Sequence, residues 1–110
     1  MKKLLLVIMT LYLMGCAKTQ EPDIKTLMQE NEYIIVDVRT ESEYEELHIV
    51  DSINIPYDEI DENVNLEKDK IIFVYCKSGN RSGIAYNILS DLGYTVYDLG
   101  AFSSIKLPKE

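Results

Sequence analysis

Two apolar, β-prone runs limit what this chain can fold into more than any other feature. Tyr33 to Val38 and Ile71 to Tyr75 are continuous rather than alternating. An alternating strand leaves one face in water, whereas a continuous one must be covered on both, as in a parallel sheet. Helical patterns lie between and around them. Ile24, Leu27 and Met28 mark a short helix over Asp23 to Met28, and Thr40-Glu41-Ser42-Glu43 has the spacing of a capping box that opens another. Ile84, Ala85, Ile88, Leu89 and Leu92 repeat at helical spacing over Ser82 to Leu92, with Gly93 placed as the C′ residue. Ser52 to Pro56 and Thr95 to Leu99 read as further strands, and Tyr57 to Ile60 as a helical turn. An acidic, irregular connector fills Asp61 to Lys70, and Gly100 to Leu107 forms a terminal turn or short helix. Strands alternating with helices predict an α/β fold, a central parallel sheet with helices on both faces.

The chemistry is expected where such sheets bind ligands, beyond the carboxyl ends of the strands. Cys76 sits there, closing the second apolar run and opening Cys76-Lys77-Ser78-Gly79-Asn80-Arg81-Ser82 just before the longest helical pattern. A helix N-terminus presents unpaired N–H groups and the positive end of the helix dipole, so the place suits an anion or a thiolate. A cysteine nucleophile works as thiolate, and at its ordinary pKa only about 3% is ionised at pH 7. Loop amides, the helix terminus and the cations Lys77 and Arg81 are the groups available to raise that fraction. Gly79 lets the backbone curl so that successive N–H groups face one point, while Arg81 and Ser82 offer side-chain donors at the rim. The loop contains no histidine, so its own amides must activate the thiol.

Composition narrows the remaining classes. A length of 110 residues accommodates one domain, and 46% hydrophobic residues argues against disorder. The formal charge of -8 opposes nucleic acid, which binds through basic side chains that neutralise phosphates. With two cysteines, Cys16 and Cys76, and the single histidine His48, neither a disulfide framework nor a metal site is expected, and no cofactor is implied.

The N-terminus reads as an address. Lys2 and Lys3 precede an apolar stretch from Leu4 to Met14, too short to span a bilayer, which takes about 20 residues. It ends in Leu13-Met14-Gly15-Cys16 and resembles a bacterial lipoprotein signal. The resemblance implies a signal peptide at residues 1–15, lipidation of Cys16, a tether over residues 16–22, and a domain from residue 23 to 110. It further implies export, with the domain held at the extracytoplasmic side of the cell membrane. Cys76 would then be the sole free thiol.

Several ordered blocks together resemble a single-domain rhodanese-like sulfurtransferase. They are Val36-Asp37-Val38-Arg39, the acidic helix, His48-Ile49, Ile53-Asn54-Ile55-Pro56, the loop from Cys76 to Ser82, and Val96-Tyr97-Asp98-Leu99-Gly100. The resemblance implies a six-residue active loop, Cys76 through Arg81, that cradles a cysteine persulfide. Cys76 would take a sulfane sulfur from thiosulfate or a persulfide and pass it to cyanide or a thiol acceptor. Lys77, Ser78, Gly79, Asn80, Arg81 and Ser82 would bind the substrate. Cysteine phosphatases place five residues between cysteine and arginine, and arsenate reductases of the rhodanese fold likewise have a longer loop. Here four intervene, which favours sulfur over phosphate or arsenate. A non-enzymatic binding or redox-sensing module is the other alternative, opposed by the presence of Cys76, Gly79 and Arg81.

The chain departs from the family at the pocket rim. Leu47-His48-Ile49-Val50-Asp51-Ser52 stands where Gly-His-Ile-Pro-Gly-Ala is usual, and Gly100-Ala101 and Ile105 replace a Gly-Gly and a tryptophan. Asp37 and Arg39 are expected to fix the strand end rather than act as an acid–base pair, and His48 is expected to be structural.

Overall fold

A computed structural model describes residues 23–110. The expectations for the signal peptide, Cys16 and the tether lie outside the described residues. Helix α1 spans Ile24–Glu30 and strand β1 Tyr33–Asp37; α2 spans Glu41–Glu46 and β2 Ile53–Asn54. A 3-10 turn at Tyr57–Glu59 precedes β3, Ile71–Cys76; α3 runs Asn80–Asp91, β4 Thr95–Ala101, and a second 3-10 turn covers Phe102–Ser104. The four strands are all parallel, in the order β2-β1-β3-β4.

The apolar runs form the two central strands, in a register that sets Tyr33 beside Ile71 and Asp37 beside Tyr75. Alternate side chains then sort to opposite faces. Val36, Val38, Ile72 and Val74 pack with Ala85 and Leu89 of α3 in one core. Ile35, Phe73 and Tyr75 pack on the other side with Ile49 and Ile105, flanked by Ile24, Leu27 and Met28 of α1. Both faces are covered, which is why neither strand alternates in polarity. Each large apolar side chain so buried contributes about 1.5–3 kcal/mol.

Strand β2 is shorter than its apolar pattern suggests. After Asn54 the chain stays tied to the end of β1: Ile55 N–H donates to Asp37 O, and Tyr57 N–H to Val38 O. The Asn54 amide donates to the carbonyls of Asp37 and Arg39, which holds the end of β1. Residues 108–110 run antiparallel to residues 48–50, with His48 and Glu110 exchanging two backbone hydrogen bonds of 2.9 and 2.8 Å.

Candidate active site

Strand β3 carries Cys76 to the carboxyl edge of the sheet, and the chain then reverses through Lys77, Ser78 and Gly79 into α3. Gly79 is the N-cap residue at φ +98°, a left-handed conformation that side chains other than glycine adopt only at a cost. That turn aims its N–H at Cys76 Sγ, 2.9 Å away. It also starts the helix two residues earlier than the hydrophobic pattern, so Asn80 and Arg81 belong to the first turn of α3.

Cys76 and Ser82 are both fully buried, and Ser82 Oγ lies 3.5 Å from the sulfur. Burial alone pushes the thiol pKa up. Hydrogen bonds from the Ser82 hydroxyl and from the backbone N–H groups of Ser82, Gly79 and Ser78 outweigh it, and the net shift is downward. The Ser82 hydroxyl and the loop amides are thus the groups that act on the thiol. Ser82, expected at the rim, lies instead beneath the sulfur, because the earlier helix start turns its side chain inward.

Arg81 is held in an ion pair. Its guanidinium grips Glu43 through two hydrogen bonds of 2.9 and 3.2 Å, Nη1 to Oε1 and Nη2 to Oε2. Glu43 also closes the capping box of α2: the Thr40 side chain accepts from Glu43 N–H, and the Glu43 carboxylate accepts from Thr40 N–H. The Arg81 hydrogen bond is the main cause that holds Glu43 at a pKa of about 2, well below the ordinary carboxylate range. One carboxylate thus joins α2, on one wall of the site, to α3, which follows the Cys76 loop.

A cleft of about 350 Å³ opens beside the loop, between Glu43, Glu46 and Leu47 on one wall and Lys77 on the other, with Phe102 lining it. Lys77 is exposed and makes no ion pair among the described residues. A second concavity of about 260 Å³, between α1 and residues 104–107, is lined by no cysteine.

Asp37 and Arg39 build the frame. Arg39 Nε lies 2.9 and 3.0 Å from the two carboxylate oxygens, and Nη2 lies 2.6 Å from Oδ2, with both side chains buried. Nη2 also donates to the carbonyl of Leu47, so the end of β1 is tied to the end of α2. The guanidinium sits 4.3 Å from the centroid of Phe102, whose ring stacks in turn on Tyr75. Tyr75 closes a ring of hydrogen bonds. Ile49 N–H donates to the tyrosine oxygen and the Ser52 hydroxyl to Ile49 O, which leaves the tyrosine hydroxyl to donate to Ser52 Oγ. His48 stacks on Tyr44 with ring centroids 3.9 Å apart and hydrogen-bonds the Tyr44 carbonyl through Nδ1, a structural placement.

Three of the rim departures have physical explanations. Asp51 adopts φ +69° where the usual pattern has glycine, and aspartate is among the residues that tolerate this conformation best. Ser52, in place of alanine, supplies the hydroxyl that completes the Tyr75 ring. Ile105 is buried in the second core cluster.

The structure brings Cys76, Gly79 and Ser82 together around the sulfur, and leaves Lys77, Ser78 and Asn80 exposed on the loop. Glu43, Glu46 and Phe102 escaped the sequence reading. Glu43 had one visible signal, its place in the capping box, and nothing in that local signal pointed to Arg81.

Residues 21–106 match the model of the rhodanese-like domain. The thiosulfate sulfurtransferase PspE of Escherichia coli is 38% identical over 78 residues, covering 67% of this chain and 75% of that protein. A thiosulfate:glutathione sulfurtransferase of Saccharomyces cerevisiae is 36% identical over 76 residues, covering 56% of this chain and 55% of the yeast protein. A solved structure described as rhodanese with anions from E. coli superposes with a TM-score of 0.65 at 34% identity, over 71% of this chain and 96% of that one.

Proposed function

The chain belongs to the rhodanese-like domain family and is a sulfurtransferase of the rhodanese type, and from that premise we propose that Cys76 carries the sulfur. Thiosulfate or a persulfide or polysulfide is the donor, and cyanide or a thiol is the acceptor. The Cys76 thiolate attacks the outer sulfur of thiosulfate; a new S–S bond forms, the old one breaks, and sulfite leaves with the electron pair. The acceptor then attacks the outer sulfur of the Cys76 persulfide, and Cys76 departs as thiolate, a two-step covalent exchange. Gly79 N–H at 2.9 Å from the sulfur is the observation that carries this reading. Thiosulfate is an oxyanion, and Lys77 beside the cleft, without an ion pair among the described residues, is the cation that attracts it. Asn80 and Ser78 line its approach, while Arg81 acts through its hold on Glu43. The names of the E. coli and yeast relatives support thiosulfate as donor and a thiol as acceptor.

Treatment of the protein with thiosulfate, followed by mass spectrometry, tests the proposal. One added sulfur on Cys76, absent in Cys76→Ser, is the expected result. No adduct and no turnover with thiosulfate and cyanide would sink it, and hydrolysis of a phosphate ester would favour phosphatase chemistry instead.

Export and lipid anchoring through Cys16 complete the proposed role. The reading rests on Lys2 and Lys3, the apolar stretch to Met14, and the Leu13-Met14-Gly15-Cys16 box. Radiolabelled palmitate should enter the full chain expressed in a bacterium and be lost in Cys16→Ser; equal labelling of both rejects the anchor.

A further inference from the structure

Ser82 has one hydroxyl proton and faces two acceptors. Its Oγ lies 3.5 Å from Cys76 Sγ and 3.1 Å from the Gly79 carbonyl, and the residue is fully buried, away from bulk water. While Cys76 is a thiol, the S–H donates to Ser82 Oγ and the Ser82 hydroxyl donates to Gly79 O, so every group is satisfied. Once the sulfur loses its proton that arrangement fails: Sγ has nothing to give, and Ser82 Oγ turns a lone pair toward an anion. Rotation of the hydroxyl alone repairs it, with no heavy atom moved. The Gly79 carbonyl is not orphaned by the turn, because Gly83 N–H donates to it at 3.2 Å.

We propose that Ser82 is a catalytic hydroxyl switch, which turns its proton onto Cys76 Sγ when the sulfur is charged and back to Gly79 O when it is not. Gly79 N–H is fixed in its aim at the sulfur and favours the charged form by position alone; the Ser82 hydroxyl can reorient. The thiol proton passes to a solvent base on ionisation, and the switch then holds the thiolate. Its second use rests on the sulfur-transfer reading above. In the persulfide the negative charge lies on the outer sulfur, Sγ makes two covalent bonds, and the hydroxyl returns to Gly79 O. As the acceptor bonds to the outer sulfur, the S–S bond breaks and Sγ leaves with the electron pair. The hydroxyl turns back to meet that developing charge. Ser82 thus assists both the attacking and the leaving sulfur.

Ultraviolet titration of the thiolate, taken as the difference between the full chain and its Cys76→Ser variant, reads the first use without any sulfur donor. A hydrogen bond to a charged group is strong enough that Ser82→Ala lowers the thiolate fraction at acidic pH about tenfold. Ser82→Thr, which keeps the hydroxyl, restores the midpoint. Superimposable titrations of Ser82→Ala and the unmodified protein overturn the proposal. Should Ser82→Ala fail to fold, the buried hydroxyl proton can be followed by NMR in the unmodified protein. Its chemical shift must move with the Cys76 midpoint, and a resonance indifferent to that midpoint overturns the proposal equally. In single turnovers, discharge of a loaded persulfide to a thiol slows about tenfold in Ser82→Ala and recovers in Ser82→Thr; an unchanged rate removes the leaving-group role. Because the titration and NMR need no donor, a protein that never accepts sulfur still decides the first question.

Discussion

Two arginine–carboxylate pairs frame the site, alike in chemistry and opposite in use. Asp37 and Arg39 are two residues apart, with side chains 0% and 6% exposed. Glu43 and Arg81 are 38 residues apart in sequence and 28% and 24% exposed. The first pair is sealed beneath Phe102 and Leu47, where an unpartnered charge would be intolerable. The second lies at the mouth of the site, where water can screen it and where it couples α2 to the first turn of α3. Burial, not the type of contact, decides which pair the fold depends on and which one orders the loop.

Asp37→Asn should break the comparison most severely. It strands a buried guanidinium, a change that costs about 3–5 kcal/mol, read as the loss of unfolding free energy in urea. A loss below about 1 kcal/mol would show the two pairs to be equivalent. Glu43→Gln should lower stability by only about 1 kcal/mol, through the exposed pair and the capping box, yet slow sulfur transfer about tenfold by loosening the loop. Steady-state rates on protein shown to be folded check this, and a variant with normal turnover would deny Arg81 its positioning role.

The smallest effect is one of pH. The Glu43 pKa is lowered from 4.5 to about 2, mainly by the Arg81 hydrogen bond. A depressed carboxylate stabilises the fold fully above its unfolded pKa, and that contribution disappears as pH falls through the folded one. The stability gap between the unmodified protein and Glu43→Gln should therefore persist at pH 5 and close progressively between about pH 4.5 and 2. A gap already closed at pH 4.5 contradicts the pairing.

Most of the frame is legible in the chain because it is encoded locally. Ile71 to Tyr75 reads as a doubly covered strand, and the structure covers it on both faces. Thr40 and Glu43 read as a capping box, and both of its hydrogen bonds are present. What the sequence hides is either long-range or conformational. The partnership of Glu43 with Arg81 spans two crossover connections, and no local pattern announces it. The inward turn of Ser82 depends on Gly79 adopting a positive φ, which starts α3 earlier than its apolar residues suggest. Strand β2 reads longer than the two paired residues it contributes: Ile55 still donates its N–H to Asp37 O and packs its side chain against the core, but the pairing goes no further.

The sheet topology also sets the order in which this protein acquires its chemistry. The central register joins Tyr33 to Ile71, and Cys76 finds its own neighbour only at Ala101 of β4. Such non-local parallel pairings close late during folding, because the intervening chain must surrender its freedom before any contact rewards it. Until both pairings close, the Gly79 turn has no backing and Cys76 is an ordinary thiol on an open chain. Completing the sheet therefore does two things to Cys76 at once: it brings the Gly79 N–H to the sulfur and it takes the side chain out of solvent.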